Sequence, residues 1–154
     1  MSIPRVLKWK EVVDGVEVEV LEFNDTVETV EKASILSGEP SNHIVKTLLL
    51  KVGRGFIVVV ARGDRRIDYK KISRLLNSSV SLAKASEVKD VLSLEVGAVT
   101  PLSPRVKSLK VLLDPAILQN DYVLCGGGAI NRLYKVKTSN LIQYLRPEIV
   151  DVFV

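Results

Sequence analysis

Apolar and polar positions divide this chain into short segments. Glu17-Val18-Glu19-Val20-Leu21-Glu22-Phe23 alternates with a period of two and predicts a half-exposed strand. Asp25-Thr26-Val27-Glu28 has the form of a capping box, an acidic N-cap with a glutamate three residues on. It predicts a helix from Thr26 to about Leu36 that stops at Gly38, with Val27, Val30 and Ala33 on one face. Ile44-Val45-Lys46-Thr47-Leu48-Leu49-Leu50 is short and apolar, bounded by Gly38, Pro40, Ser41 and Asn42 before it and by Gly53 after it, and reads as a strand. Gly53-Arg54-Gly55 is a turn, so Phe56 to Ala61 returns as the second strand of a hairpin. After a turn at Arg62-Gly63-Asp64-Arg65, Asp68 caps a helix through Leu76 with Ile72, Leu75 and Leu76 facing in. Val80 to Ala83 is a short strand, and Ser86 caps a helix from Glu87 to about Leu92 whose apolar face is Val88, Val91 and Leu92.

The second half opens on Val96-Gly97-Ala98-Val99-Thr100-Pro101-Leu102-Ser103-Pro104, where glycine and two prolines predict a loop of fixed shape. Lys110 to Asp114 is a strand, and Asp114-Pro115 opens a turn or a short helix. Tyr122 to Cys125 is a strand that runs into Gly126-Gly127-Gly128, where backbone can approach a ligand closely. Leu133 to Val136 is a strand, Ser139 caps a short helix through Leu145, and Ile149 to Val154 is the last strand. Strands and short helices are mixed, without the regular βαβ alternation of a doubly wound sheet.

Alternation also isolates one residue. In the strand around Lys46, side chains point to opposite faces in turn. Lys46 therefore shares a face with Ile44, Leu48 and Leu50, while Thr47 faces the other way and is read as packed. A lysine on an apolar face either snorkels to a sheet edge or projects into a pocket toward an anion or a polar substrate atom.

Composition narrows the chemistry. With 154 residues, 47% hydrophobic and 26% charged, the chain is read as one domain over residues 1–154. The single Cys125 excludes an internal disulfide and a cysteine-rich zinc site. His43 alone leaves little for a histidine-based metal site or a Ser-His-Asp triad, so neither a metal nor a cofactor is read from the chain. No apolar run approaches a membrane span, Met1-Ser2-Ile3-Pro4-Arg5 lacks a signal peptide's apolar core, and a cytoplasmic protein is the simplest reading. The net charge of +4 permits attraction to a phosphate backbone without demanding it. Arg62, Arg65, Arg66, Lys70, Lys71 and Arg74 form a basic run, either a solvated helix face or a contact for phosphates. His43 reads as a turn residue, Cys125 as a buried thiol and Asp114 as the cap of the turn at Pro115.

The order of these motifs resembles the YbaK/ProX family of aminoacyl-tRNA deacylases, related to the editing domain inserted in bacterial prolyl-tRNA synthetases. The residues that carry it run from Thr26 to Val154: Ile44-Val45-Lys46-Thr47-Leu48, the hairpin, Gly63-Asp64-Arg65-Arg66-Ile67-Asp68 before a helix, Ser86-Glu87-Val88, Gly97-Ala98-Val99-Thr100-Pro101, Leu112-Leu113-Asp114, and the glycine cluster after a strand. The resemblance implies an α/β (α+β) domain with a curved, mixed, mainly antiparallel sheet, partly closed into a barrel and flanked by short helices. It implies hydrolysis of the ester joining a wrong amino acid to the tRNA 3′ end, with misacylated tRNA(Pro) carrying a small residue as the best-known substrate. The partner is then the acceptor end of an aminoacyl-tRNA, with an aminoacyl-tRNA synthetase as a second candidate and no membrane.

The family's central lysine matches Lys46, its Gly-x-x-x-Pro loop matches Gly97, Ala98, Val99, Thr100 and Pro101, and its glycine stretch matches Gly126, Gly127 and Gly128. Asn131 is a candidate for reading a polar substrate atom. The chain departs from the family at Leu92-Ser93-Leu94-Glu95-Val96, where many members carry a Thr-Gly-Tyr-like stretch, and at Ala129-Ile130-Asn131-Arg132, where some members carry a histidine. Met1 to Asn24 receives no family role. Hydrolysis of an activated ester needs a positioned water and oxyanion stabilisation rather than a protein nucleophile. The alternative is a non-catalytic module of the same fold that holds an RNA 3′ end or a synthetase.

Overall fold

The computed structural model describes residues 5–154. Among the described residues nine strands form two sheets. The first has the order β1 (Val6–Val13), β2 (Val16–Phe23), β8 (Arg132–Lys137), β7 (Tyr122–Gly126), all antiparallel. The second has the order β5 (Val80–Leu82), β3 (Val45–Val52), β4 (Gly55–Arg62), β6 (Lys110–Leu113), β9 (Glu148–Ile149). In it the β3 pairings are antiparallel, while β4 with β6 and β6 with β9 are parallel. The mixed, mainly antiparallel α/β character follows the sequence reading. The partial barrel does not. Between β3 and β7 there is one isolated bridge, Ile44 just before β3 with Leu124, so among the described residues no ladder joins the two sheets.

Burial explains why the sheets stack. Val18, Val20 and Val136 of the first sheet share a core with Leu49, Val58, Val60 and Leu113 of the second. The outer face of the second sheet buries Leu50, Val59 and Leu112 against Ile72 of helix α2 (Tyr69–Leu76) and Phe153. One end of the first sheet's outer face buries Leu21, Phe23 and Leu133 against Ala33 of helix α1 (Val30–Ser37). Among the described residues no helix is long and apolar enough to cross a membrane.

Several boundaries move from their sequence positions, each for a tertiary reason. Helix α1 starts at Val30 with Thr29 as N-cap rather than at Thr26. The Val27 N–H donates to the Ile130 carbonyl at 2.7 Å, which holds the preceding residues out of the helix, and Asp25 accepts only from the adjacent Thr26 N–H. Gly38 ends α1 with φ +76°, as glycine permits. Asp68 caps α2 as read, accepting from the Lys70 and Lys71 N–H groups, but Leu75 is exposed and only Ile72 is fully buried. Helix α3 (Ala85–Leu92) has Lys84 at its N-cap, whose N–H donates to the Glu87 carboxylate at 2.9 Å, so Ser86 is inside the helix. A short helix α4 (Pro104–Lys107) follows the Gly97 loop. Helix α5 (Thr138–Leu145) has Lys137 at its N-cap rather than Ser139, because the Thr138 N–H is taken by the Asp121 carbonyl. The last strand shrinks to Glu148–Ile149. Asp151 then accepts from the Phe153 N–H and pairs with Arg65, and Phe153 returns only as a bridge to Ile67. The sequence pattern marks no element at β1, whose residues are mostly exposed on both faces.

Asp114 is the polar anchor of this arrangement. It is fully buried, accepts from the Arg62 and Ala116 N–H groups and faces the Arg65 guanidinium at 3.6 Å. Asp114→Ala leaves the Arg62 and Ala116 N–H groups without their acceptor and removes one of the two carboxylates that face Arg65, so chemical denaturation is expected to show a loss of about 2 kcal/mol or more.

Candidate functional site

The site begins with how β3 is paired. β4 runs beside it from Val45 to Val52, but on its other edge β5 reaches only Leu50 to Val52. The Ala83 N–H still donates to the Leu49 carbonyl at 3.0 Å, so the stretch from Val45 to Leu48 has no ladder partner on that edge, and a hollow of about 400 Å³ lies along it. Residues of both β3 faces line this hollow, because it sits off the edge of the strand rather than on one side of the sheet.

Lys46 is half-buried at this hollow, on the β3 face that carries Leu48 and Leu50. Among the described residues its ammonium has no ion-pair or hydrogen-bond partner. Burial holds its pKa below the usual 10.5, the nearby Arg66 charge lowers it further, and Asp64 opposes both. The group is a cation that solvent and protein both serve poorly, as expected for one kept for an anion or a polarised oxygen.

The two glycine-bearing bends meet at the same place. Gly97, at φ +88°, lies against Glu28, whose Oε2 is 3.0 Å from where a Cβ would stand. Gly126 is packed so tightly on the Val99 carbonyl that a Cβ there would overlap the oxygen. Gly97, Val99 and Gly126 line the hollow with Lys46. Ala98, Thr100 and Pro101 are buried and fix the bend from behind. The Ala98 N–H donates to the Glu95 carbonyl at 3.0 Å, and the Thr100 hydroxyl accepts from the Leu102 N–H at 3.2 Å. Gly127 is pressed against the Arg132 backbone and donates to its carbonyl at 3.0 Å, while Gly128 is exposed at φ +81°, so both serve the turn into β8. Asn131 spends its side-chain amide on the Phe23 carbonyl at 3.2 Å.

Three features in and around the hollow have no local signal in the sequence. Val27, Glu28 and Thr29 supply a wall because residues before α1 are extended rather than helical. Thr47 borders the hollow, and its buried hydroxyl has no hydrogen-bond partner among the described residues. The basic run also divides in two. Arg62 is held by Asp64 and Gln119, Arg65 by Asp151 and Asp114, and Lys71 reaches the Phe153 carbonyl. Arg66, Lys70 and Arg74 are exposed and make no ion pair among the described residues.

The remaining candidates are structural. Burial pushes the Cys125 thiol up to about 12, so it is inert at neutral pH. His43 lies in a short turn against the Tyr122 ring, 4.9 Å between centroids. No group of three or more potential metal ligands occurs among the described residues. A larger, shallower depression of about 780 Å³ lies on the outer face of the first sheet, lined by residues such as Lys10, Glu19 and Lys135. It does not include Lys46 or the glycine bends.

The chain is similar to known proteins over most of its length. The family model described as an aminoacyl-tRNA editing domain matches residues 24–144. The proline–tRNA ligase of Caldicellulosiruptor bescii is 29% identical over 133 residues, covering 84% of this chain and 22% of that enzyme. The proline–tRNA ligase of Bacillus cytotoxicus is 33% identical over 97 residues, covering 62% of this chain and 17% of the enzyme. The chain thus spans about a fifth of the length of these relatives. Among solved structures, the hypothetical protein APE2540 superposes with a TM-score of 0.80 at 29% identity, covering 89% of this chain and 91% of that one. A protein described as a candidate trans-editing enzyme for prolyl tRNA synthetase shares the fold, with a TM-score of 0.80 at 24% identity over 88% of this chain and 85% of its own. With a family model spanning most of its length and its lysine set beside two glycine bends, the chain belongs to the aminoacyl-tRNA editing domain family.

Proposed function

We propose that this chain is a trans-editing hydrolase that cleaves the ester of a misacylated tRNA, with tRNA(Pro) carrying a small wrong amino acid as the substrate class. The observation that carries this reading is the unpaired, half-buried Lys46 at a hollow walled by Gly97 and Gly126. Water adds to the acyl carbon, the bond from that carbon to the ribose oxygen breaks, and the ribose oxygen takes a proton. Lys46 faces a phosphate, the ester carbonyl or a ribose oxygen, where its charge stabilises the developing oxyanion. The neighbouring ribose hydroxyl orients the water. The lining contributed by Val27, Val30, Ala33 and Val99 is apolar, and a hollow of this size excludes large side chains by contact, the logic of a second sieve. Ala98 to Pro101 and Gly127, Gly128 and Asn131 support the walls. Arg66, Lys70 and Arg74 are free to meet acceptor-stem phosphates, and the proline–tRNA ligase relatives make a synthetase a reasonable partner. A role in translation is consistent with a cytoplasmic protein.

The competing reading is a module of the same fold that binds the tRNA 3′ end or a synthetase without hydrolysis. Incubation of the purified protein with Ala-, Ser- and Cys-charged tRNA separates the two. Ester loss with at least one substrate is expected, and Lys46→Ala should lower kcat/KM about 100-fold or more. Intact tRNA binding with no ester loss at any enzyme concentration would establish the module instead.

Lys46→Met carries a second expectation. The folded-state pKa is lowered, so the unfolded chain binds more protons there and the cost of the buried charge fades as pH rises toward 10.5. The melting temperature of the variant should exceed that of the parent at pH 7, and the gain should vanish above pH 10.5. For tRNA binding, raising salt should weaken affinity, and Arg66→Ala should reduce the slope of log K against log salt by about 1. The same change at Arg62, held by Asp64, should alter that slope less.

A further inference from the structure

β3 presents two sets of main-chain groups. Even-numbered residues turn theirs toward β4, as where the Gly63 N–H donates to the Ile44 carbonyl at 2.7 Å at the head of the strand. Odd-numbered residues turn theirs to the opposite edge, as where the Ala83 N–H donates to the Leu49 carbonyl at 3.0 Å. On that edge the β5 ladder begins at Leu50, and β7 runs nearby but is bridged at Ile44, just before β3, without forming a ladder along it. Thr47 lies between the two, so its N–H and its carbonyl address a stretch of the edge with no ladder partner. That stretch is the hollow. Thr47 is only 9% exposed, and its hydroxyl is buried and without a partner among the described residues. One residue thus brings a donor, an acceptor and a hydroxyl to the hollow.

We infer that an α-aminoacyl group docks on Thr47 as a strand one residue long. Its α-amino N–H donates to the Thr47 carbonyl, and its acyl carbonyl accepts from the Thr47 N–H. This is the double exchange of a hydrogen-bonded antiparallel pair, used by peptides that add to a sheet edge. The inference rests on the deacylase reading and specifies how that site recognises the amino acid.

Three consequences follow from strand geometry. Alternation sets the Thr47 and Lys46 side chains on opposite faces, so the lysine can serve the ester and ribose side without facing the amino acid side chain. The Thr47 N–H points at the carbonyl oxygen on which charge develops. Residues opposite each other in an antiparallel pair carry their side chains on the same face, so the bound side chain lies beside the Thr47 hydroxyl. A hydroxyl or thiol there gives the orphaned oxygen its partner. An alkyl side chain of similar size fits without that bond.

The test uses 3′-alanylamino-3′-deoxyadenosine, an amide-linked mimic that resists hydrolysis, and its propionylamino counterpart without the α-amine. The alanyl compound should slow hydrogen exchange at the Thr47 amide at least tenfold, and the propionyl compound should bind at least tenfold more weakly. In deacylation assays, Thr47→Val should lower the ratio of seryl to alanyl kcat/KM about tenfold without lowering the melting temperature, and Thr47→Ser should retain the parent ratio. Binding of the alanyl compound with Thr47 exchange unchanged, or equal binding of both compounds, would overturn the docking mode and leave the deacylase reading intact. A protein that binds neither compound and deacylates no charged tRNA would overturn the deacylase reading and this one with it.

Discussion

The structure depends on what β3 leaves unpaired. Buried main-chain groups ordinarily find partners, and sheets cover or pair their edges. Here β5 stops at Leu82 and the contact with β7 stops after one bridge, so an edge of β3 opens into the interior rather than onto the surface. The same interruption keeps the two sheets from joining as a barrel. The hollow and the open ladder are one feature seen from two sides.

The surrounding residues keep that opening from collapsing. Gly126 admits the Val99 carbonyl where any side chain would push it away, and Gly97 adopts a positive φ against Glu28. Pro101 and Leu102 are buried behind the bend and hold it. Charge is distributed to the same end. Asp114 and Asp151 engage Arg65, and Asp64 engages Arg62, so these arginines brace the loop after β4. Lys46 and Arg66 are left to repel each other near the hollow, a cost that an incoming anionic group would relieve.

Much of this was legible in the chain. The strand of Lys46, the hairpin and the Asp68 cap follow from local rules, because their partners lie within a few residues. The lysine itself stands out as a charge in an apolar strand. The errors share one cause, which is that distant backbone decides. The start of α1 depends on the Ile130 carbonyl, and the end of the chain on Arg65. β1 has no marked pattern because it packs Trp9 and Val13 and exposes most of its other residues. In the site, Gly97 and Gly126 announce themselves as glycines, yet what each one touches is not local. Strand alternation makes Thr47 a packed residue, and it is buried. Its place on an unpaired edge depends on where β5 and β7 stop, and no neighbouring residue encodes that.

The central claim is that the aminoacyl end of the substrate lies along the open edge of β3. A crystal structure with the amide-linked alanyl-adenosine mimic tests it most directly. The account predicts the alanyl group in the hollow between β3 and the Gly97 and Gly126 bends, with a ribose or ester-equivalent oxygen within hydrogen-bonding distance of the Lys46 ammonium. Density for the mimic on the outer face of the first sheet, beside Lys10 and Lys135, with the β3 hollow empty, would contradict it.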